Sequence, residues 1–330
     1  MTHDGKRLWL LVGCAILGVT VTGQVPAPDE KKPAAPPLLI PIAQLKPDAT
    51  IDLSAPRVLA VADDSVWAMN RAAGTVARID PKTNKIVQTT AAGDKPCAGA
   101  VSGFGSLWVP LCGTAGLARI DLKTNAVTTT VKTPVGDVSR GVASANSSVW
   151  LLTDAKGTMT RIDPVTNEAV AEIYLPPGTT ALAFGQGALW AISPEKNTLT
   201  RLDPFTNLIV ETIKVGKSPV SLAIGEGAVW VLNDGDGSVS RVDAKTNKVA
   251  ETIKVGPLAL PAELAAGEGS VWISAAGSPL IRIDPRTNHV VQQFTGTGGG
   301  SVVVGQGALW LGATPTAIWR IDPKRAEATR

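Results

Sequence analysis

Seven tryptophans mark out this chain. Trp67, Trp108, Trp150, Trp190, Trp230, Trp272 and Trp310 follow one another at spacings of 41, 42, 40, 40, 42 and 38 residues. Ten or eleven residues after each stands an Arg, an aliphatic residue and an Asp, from Arg78-Ile79-Asp80 to Arg320-Ile321-Asp322. Six of these triplets run on to Thr-Asn, as in Thr83-Asn84 and Thr246-Asn247. A fixed period of this length means stacked copies of one supersecondary unit, each too small to bury its own apolar face.

The fifth copy shows what the unit is. Ser221-Leu222-Ala223-Ile224 is a short apolar strand, and Gly225-Glu226-Gly227-Ala228 is a tight hairpin turn in which Gly supplies positive φ. Val229 to Leu232 is the second strand and Ser238 to Asp243 the third. In the turn that follows, Asp243 accepts backbone N–H bonds and Asn247 tolerates the left-handed region. Lys248 to Val255 alternates in period two as the fourth strand. Four strands in about 41 residues, seven times over, predict an all-β seven-bladed propeller. The seventh copy lacks a good fourth strand. Ala49-Thr50-Ile51-Asp52-Leu53 resembles the fourth strand of the fifth copy, so a strand at about 47–53 is expected to close the last blade and hide an open edge.

Upstream, Lys6 and Arg7 precede fourteen residues, Leu8 to Val21, dominated by apolar side chains. That run is short of the about 20 residues a membrane span needs. With Val21-Thr22-Gly23 behind it, it reads as an export signal over 1–23. Leu11-Val12-Gly13-Cys14 offers the rival reading of a lipid-anchored Cys14. Residues 24–46 carry six prolines and read as an extended linker. The propeller then occupies 47–330, exported to the periplasm or secreted. Export permits a disulfide. The turn Gly103-Phe104-Gly105-Ser106 lies midway between Cys97 and Cys112, which places the two across one hairpin at bonding distance.

The balance of 31 Lys+Arg against 28 Asp+Glu, net +3, gives no basic stripe for nucleic acid. A monomer without a transmembrane domain is expected. His289 is the one His beyond the signal, and its place after Thr287-Asn288 is a surface turn, so no Ser-His-Asp set can be assembled. No cluster has metal-ligand spacing. Asp234-Gly235-Asp236-Gly237 lacks the rest of a twelve-residue calcium loop.

A position repeated in every blade serves the repeat, so function is sought where the repeat is broken. At the start of the innermost strands, nine or ten residues before each Trp, most residues are small. Arg57, Arg140 and Glu263 break that rule, and a ring brings them toward one mouth of the channel. Asn70, Asn233 and Asp234 belong to loops on the same end. Two Arg side chains suit a carboxylate or phosphate.

The stretch GAVWVLNDGDGSVSRVDAKTNKVAETIKVG resembles the YVTN-type propeller repeat of exported bacterial proteins. It is also similar to the streptogramin B (virginiamycin B) lyase family, over about residues 47–330. The second resemblance implies a metal-dependent lyase or hydrolase acting on a cyclic ester-type substrate, with His and Glu residues and Mg2+ at the channel. Glu263 is the only acid at this mouth that such a role can be given. The residues themselves favour a non-catalytic exported propeller without a cofactor. It would bind a small anionic ligand, a peptide or an envelope protein at the mouth.

Overall fold

The computed structural model describes Met1 and residues 35–54, 58–62, 64–138 and 140–329. The export signal, most of the linker and Arg57 fall outside the described residues. Pro36–Arg330 forms one compact unit. It is a seven-bladed β-propeller of seven separate sheets, and the four repeat strands of each blade run antiparallel from the innermost outward. Blade five runs Pro219–Gly225, Ala228–Asn233, Ser238–Asp243 and Lys248–Lys254, within two residues of the sequence expectation. Each innermost strand touches that of the next blade, and Val302–Gly305 of blade seven touches Val58–Ala62 of blade one. In the last sheet Ala49–Asp52 is the outermost strand, antiparallel to Ala317–Ile321.

The tryptophans explain why the blades stack. All seven are fully buried. Each faces the following blade rather than its own centre. Trp67 packs with Leu107 and Val109 of blade two, and Trp310 packs with Leu59 and Val66 of blade one. The core is therefore seven interblade layers. Five indole N–H groups donate to the carbonyl of the residue five positions back, as Trp230 does to Gly225 at 2.9 Å.

The repeated Arg and Asp have separate partners. In six blades the guanidinium carbon lies 4.9 to 5.9 Å from the centroid of its own blade's Trp ring, within cation–π range. Most of these Arg side chains then reach forward to the turn of the next blade. Arg241 Nη1 donates to Asn288 Oδ1 at 2.8 Å and to the Pro285 carbonyl at 3.1 Å. Arg78 makes the same reach to Asn125 and Leu122. The Asp turns back on its own loop: Asp243 Oδ1 accepts the Lys245 and Thr246 N–H groups at 2.7 and 3.0 Å. The Asn is left-handed in all six Thr-Asn turns, with φ between 57° and 61°. That geometry aims its side chain at the arriving Arg.

Two segments depart from the sequence reading. Part of the expected linker is built in: Leu38–Pro41 lies parallel to His289–Thr295 as a fifth strand on blade six. Ile40 is buried there with Phe294 and Leu45. Flanking prolines made this strand look like linker, but an edge strand bonds on one side only and tolerates Pro at its ends. At the other terminus, Asp322-Pro323 does not open a turn. Without Thr-Asn behind it, the chain continues as the helix Pro323–Ala328. The Asp322 carboxylate caps Lys324 N–H at 2.9 Å, and Pro323 sits in the first turn, where its missing N–H costs nothing. Glu327 from this helix then takes the role of the absent Asn, accepting Arg282 Nη2 at 2.8 Å.

Two outcomes test this account. Trp230→Ala should lower unfolding stability by about 3–5 kcal/mol in denaturant titrations, the range for removing a buried aromatic. Acid should also weaken the turns. Backbone N–H bonds, from Lys82 to Asp80, from Thr124 to Asp121 and from Thr246 to Asp243, hold these carboxyls below their ordinary value. A lowered folded-state value adds stability above about pH 4 that is lost as pH falls through it. Melting temperature should thus drop below about pH 4, and less steeply in Asp243→Ala.

Candidate functional site

The innermost strands begin at one end of the channel, and backbone bonds tie them into a collar there. Gly141 N–H donates to Ala98 of blade two at 2.8 Å, and Leu182 N–H of blade four donates to Arg140 at 2.7 Å. A Cβ on Gly141 would meet Val138 Cγ2 at 2.6 Å, so only Gly lets the chain pass here. This collar fixes the Arg140 backbone between its neighbours.

From that anchor Arg140 crosses the ring. Its Nη2 lies 2.6 Å from Glu263 Oε2, joining blade three to blade six. Both side chains are largely enclosed, at 24% and 19% exposure. Glu263 Oε2 also accepts Ser301 Oγ–H at 2.9 Å and Val302 N–H at 3.3 Å, both from blade seven. Ser301 Oγ in turn accepts Leu59 N–H of blade one at 3.0 Å. Ser221, at the same position of blade five, accepts Leu264 N–H of blade six at 3.1 Å. At two junctions, five to six and seven to one, a serine thus stitches neighbouring inner strands, and Glu263 is the same position given a charge.

Arg140 borders a cavity of about 270 Å³ along the channel. The remaining walls come mostly from apolar side chains of the inner strands, among them Val61, Val101, Ile224, Ala265 and Val303. A second ion pair lies on the segment that leads into Arg140. Arg71 grips Asp137 with two bonds of 3.0 Å, and this contact holds the Asp137 carboxyl below its usual range. Asp137 Oδ1 is also 3.6 Å from the Cys112 sulfur. Cys97 and Cys112 are joined by a disulfide with Cα atoms 5.9 Å apart, as their placement across the hairpin implied.

The other residues expected at the mouth do not join this network. Asn70 caps its own loop: Oδ1 accepts Ala73 N–H and Nδ2 donates to the Ser54 carbonyl, both at 2.9 Å. Asn233 is fully buried and donates to Ser238 and Ser240. Asp234 is held through its backbone N–H, which donates to Ser218 at 3.0 Å. Ser301 and Asp137 carried no signal of their own in the sequence. Ser301 shares the repeat position of Glu263 in the next blade, and that alignment was the available clue.

A divalent magnesium site does not fit this mouth. Mg2+ requires several oxygen ligands in octahedral array. Here Glu263 supplies a single carboxylate, and a guanidinium already lies against it. Among the described residues, the one group of three potential ligands is Cys97, Cys112 and Asp137. Its two sulfurs are bonded to each other and offer no thiolate.

These features define a seven-bladed propeller whose described residues place the Arg140–Glu263 pair at one mouth of the channel. No family profile and no curated protein matches the chain. Solved structures of the same fold do. A streptogramin B lyase is 19% identical, covering 82% of this chain and 95% of its own, with a TM-score of 0.68. Virginiamycin B lyase from Staphylococcus aureus is 18% identical over 83% of this chain and 98% of its own, with a TM-score of 0.66. A catalytically inactive histidine variant of that lyase, solved with quinupristin, aligns at 17% identity over the same shares with a TM-score of 0.69.

Ser301→Ala should destabilise the fold by about 1–3 kcal/mol in denaturant titrations, since it leaves the Leu59 N–H buried without a partner. Ser301→Cys should recover less than half of that loss, because a thiol is a poor acceptor.

Proposed function

We propose that this chain is a non-catalytic binding propeller that takes a small carboxylate- or phosphate-bearing ligand at the mouth formed by Arg140 and Glu263. The observation that carries this reading is the placement of one Arg–Glu pair across a channel otherwise lined largely by Ala, Val, Ile and Leu. Glu263 engages Nη2 of Arg140. Nη1 and Nε make no hydrogen bond among the described residues, so the guanidinium keeps an edge for an anion. A guanidinium edge suits two-point recognition of a carboxylate or phosphate. The disulfide suits an oxidising compartment such as the periplasm or the extracellular medium.

The fold likeness supports a second reading, a lyase opening a cyclic ester-type antibiotic. The solved histidine variant is described as catalytically inactive. In this chain the only His among the described residues is His289, exposed at the start of the outer strand of blade six and paired in register with Asp284. Among the described residues, no other His stands near Arg140 and Glu263.

Calorimetric titration with small carboxylates, phosphate and quinupristin separates the two. A mouth ligand should lose tenfold or more in affinity on Arg140→Ala, the loss expected for about 1.5–3 kcal/mol of charge-assisted bonding. It should bind more tightly to Glu263→Gln, which removes the competing carboxylate. Equal affinity in all three proteins would reject the site. Turnover of quinupristin would reject the non-catalytic reading.

A further inference from the structure

Blade two enters the ring differently from the others. Its inner strand is only the three residues Val101–Gly103, whereas the inner strands of the other blades run from four to nine. Ahead of it Lys95, Ala98 and Gly99 all lie in the left-handed region, with φ of 53°, 55° and 85°. A lysine and an alanine are strained there, because the Cβ crowds the following carbonyl oxygen. Between the two strained residues stands Cys97, bonded to Cys112. Cys14 is the only other cysteine of the chain, so no other blade makes such a bond.

Both ends of this disulfide meet the segment that carries Arg140. Ala98, beside Cys97, holds in blade two the repeat position that Arg140 holds in blade three. Its carbonyl accepts Gly141 N–H at 2.8 Å. Gly99 lies against Arg140 as well: a Cβ added to it would stand 3.6 Å from Arg140 Cα. At the other end, Cys112 Sγ is 3.6 Å from Oδ1 of Asp137, on the segment leading into Arg140, and Arg71 of blade one grips that carboxylate. A disulfide sulfur carries no proton, so its contact with Asp137 is packing and not a hydrogen bond. Cys97 is buried and Cys112 is partly exposed, so a reductant can reach the Cys112 sulfur.

We propose that the Cys97–Cys112 disulfide is a redox-sensitive brace that holds Arg140 at the mouth, and that its reduction releases the Arg140 segment and weakens anion binding there. The inference rests on the reading of Arg140 and Glu263 as an anion site. A dithiol supplies the two electrons. One of its sulfurs, as the thiolate, attacks the Cys112 sulfur. The Cys97–Cys112 bond breaks, and Cys97 leaves as a thiolate that takes up a proton. The second dithiol sulfur then displaces Cys112, which is protonated in turn. The reductant ends as a disulfide and the protein as two thiols. Without the covalent link, the left-handed residues beside Cys97 relax, and the Ala98 carbonyl moves with them. Cys112 S–H gains a proton to donate to Asp137, in competition with Arg71. Both supports of the Arg140 segment change in the same step.

Hydrogen–deuterium exchange on the purified protein, before and after excess dithiothreitol, tests the brace. Exchange at Gly141 N–H and Leu182 N–H, whose acceptors are Ala98 and Arg140, should rise about tenfold or more on reduction. Exchange at Leu264 N–H, which donates to Ser221 of blade five, should not change. Reoxidation should restore the protection. If the released segment is competent for about a tenth of the time, affinity for inorganic phosphate or acetate in calorimetric titration should fall about tenfold. Cys97→Ser with Cys112→Ser should give the reduced values with no dithiol present. A disulfide that resists the dithiol in the folded protein overturns the inference. So does exchange that rises equally at Gly141 and Leu264, which is loss of overall stability. Unchanged anion affinity with faster exchange at Gly141 overturns control of the mouth. Faster exchange at Gly141 in a protein that binds neither anion in either state establishes the brace and rejects the anion reading instead.

Discussion

Everything in this molecule depends on a contact that no blade can make alone. A four-stranded blade leaves its Trp uncovered, and only the next blade supplies the surface that buries it. The Arg above that Trp reaches across the same boundary to an Asn whose left-handed backbone holds it in place. Six junctions couple apolar burial to a directed Arg bond; at the seventh, from blade seven to blade one, the Asn84 amide oxygen is buried without a partner among the described residues. Neither is sufficient separately: burial is indifferent to register, and a partly exposed guanidinium contact is weak without the packed ring beneath it. The junctions show this through their exceptions. Blade seven has no Thr-Asn turn, and Glu327 of the terminal helix meets Arg282 instead. Blades four, five and seven have Ala188, Ala228 and Ala308 where the others place a serine under the Arg, and Nε of Arg201 and of Arg320 is left without a partner among the described residues. The ring tolerates the loss of one bond but provides a substitute where the whole turn is absent.

That division of labour determines where chemistry has room. The Trp, Arg and Asn positions commit one end of every blade to holding its neighbour. The innermost strands at the opposite end are joined by main-chain bonds and by small residues. Main-chain bonds are indifferent to side-chain identity, so a large charged residue can be placed there without loss of the collar. Arg140 and Glu263 are such placements. Their pairing across non-adjacent blades adds no junction of its own, because Glu263 retains the serine-like bonds to blade seven while also meeting Arg140.

The architecture was legible because repetition turns weak signals into strong ones. A lone Trp says little; seven at one spacing define a period, and the Asp and Asn that follow it define turns whose backbone angles came out as read. The Cys97–Cys112 pair was legible for the same local reason, from a hairpin turn centred between them. Legibility failed where the period stops. Leu38–Pro41 has no repeat partner, and its bonds are to a strand some 250 residues away, beyond any local pattern. Asp322-Pro323 carried the turn's opening signal without its closing one, and capping then favoured helix. At the mouth, the approach of Arg140 to Glu263 followed from ring geometry. The polar residues of the loops did not behave as ligand groups, because Asn70 and Asn233 answer first to the unsatisfied backbone and hydroxyl groups of their own blades.

Repetition also supplies an internal control for reading function. When one blade departs from six others that solve the same packing problem, the departure has either a compensating partner or another purpose. Burial decides between the two. Inside the ring, Gly141 and Ser301 are explained by the atoms around them. Glu263 is explained in part, by Ser301 and Val302, while the edge of Arg140 that meets no partner among the described residues is not. Cys97 and Cys112 have no counterpart in another blade, and their disulfide meets the Arg140 segment at both ends. Two departures in adjacent blades thus answer to each other, which places them in one site and not in the repeat. The guanidinium edge is what remains unexplained there, and the proposed anion is what it is suited to meet.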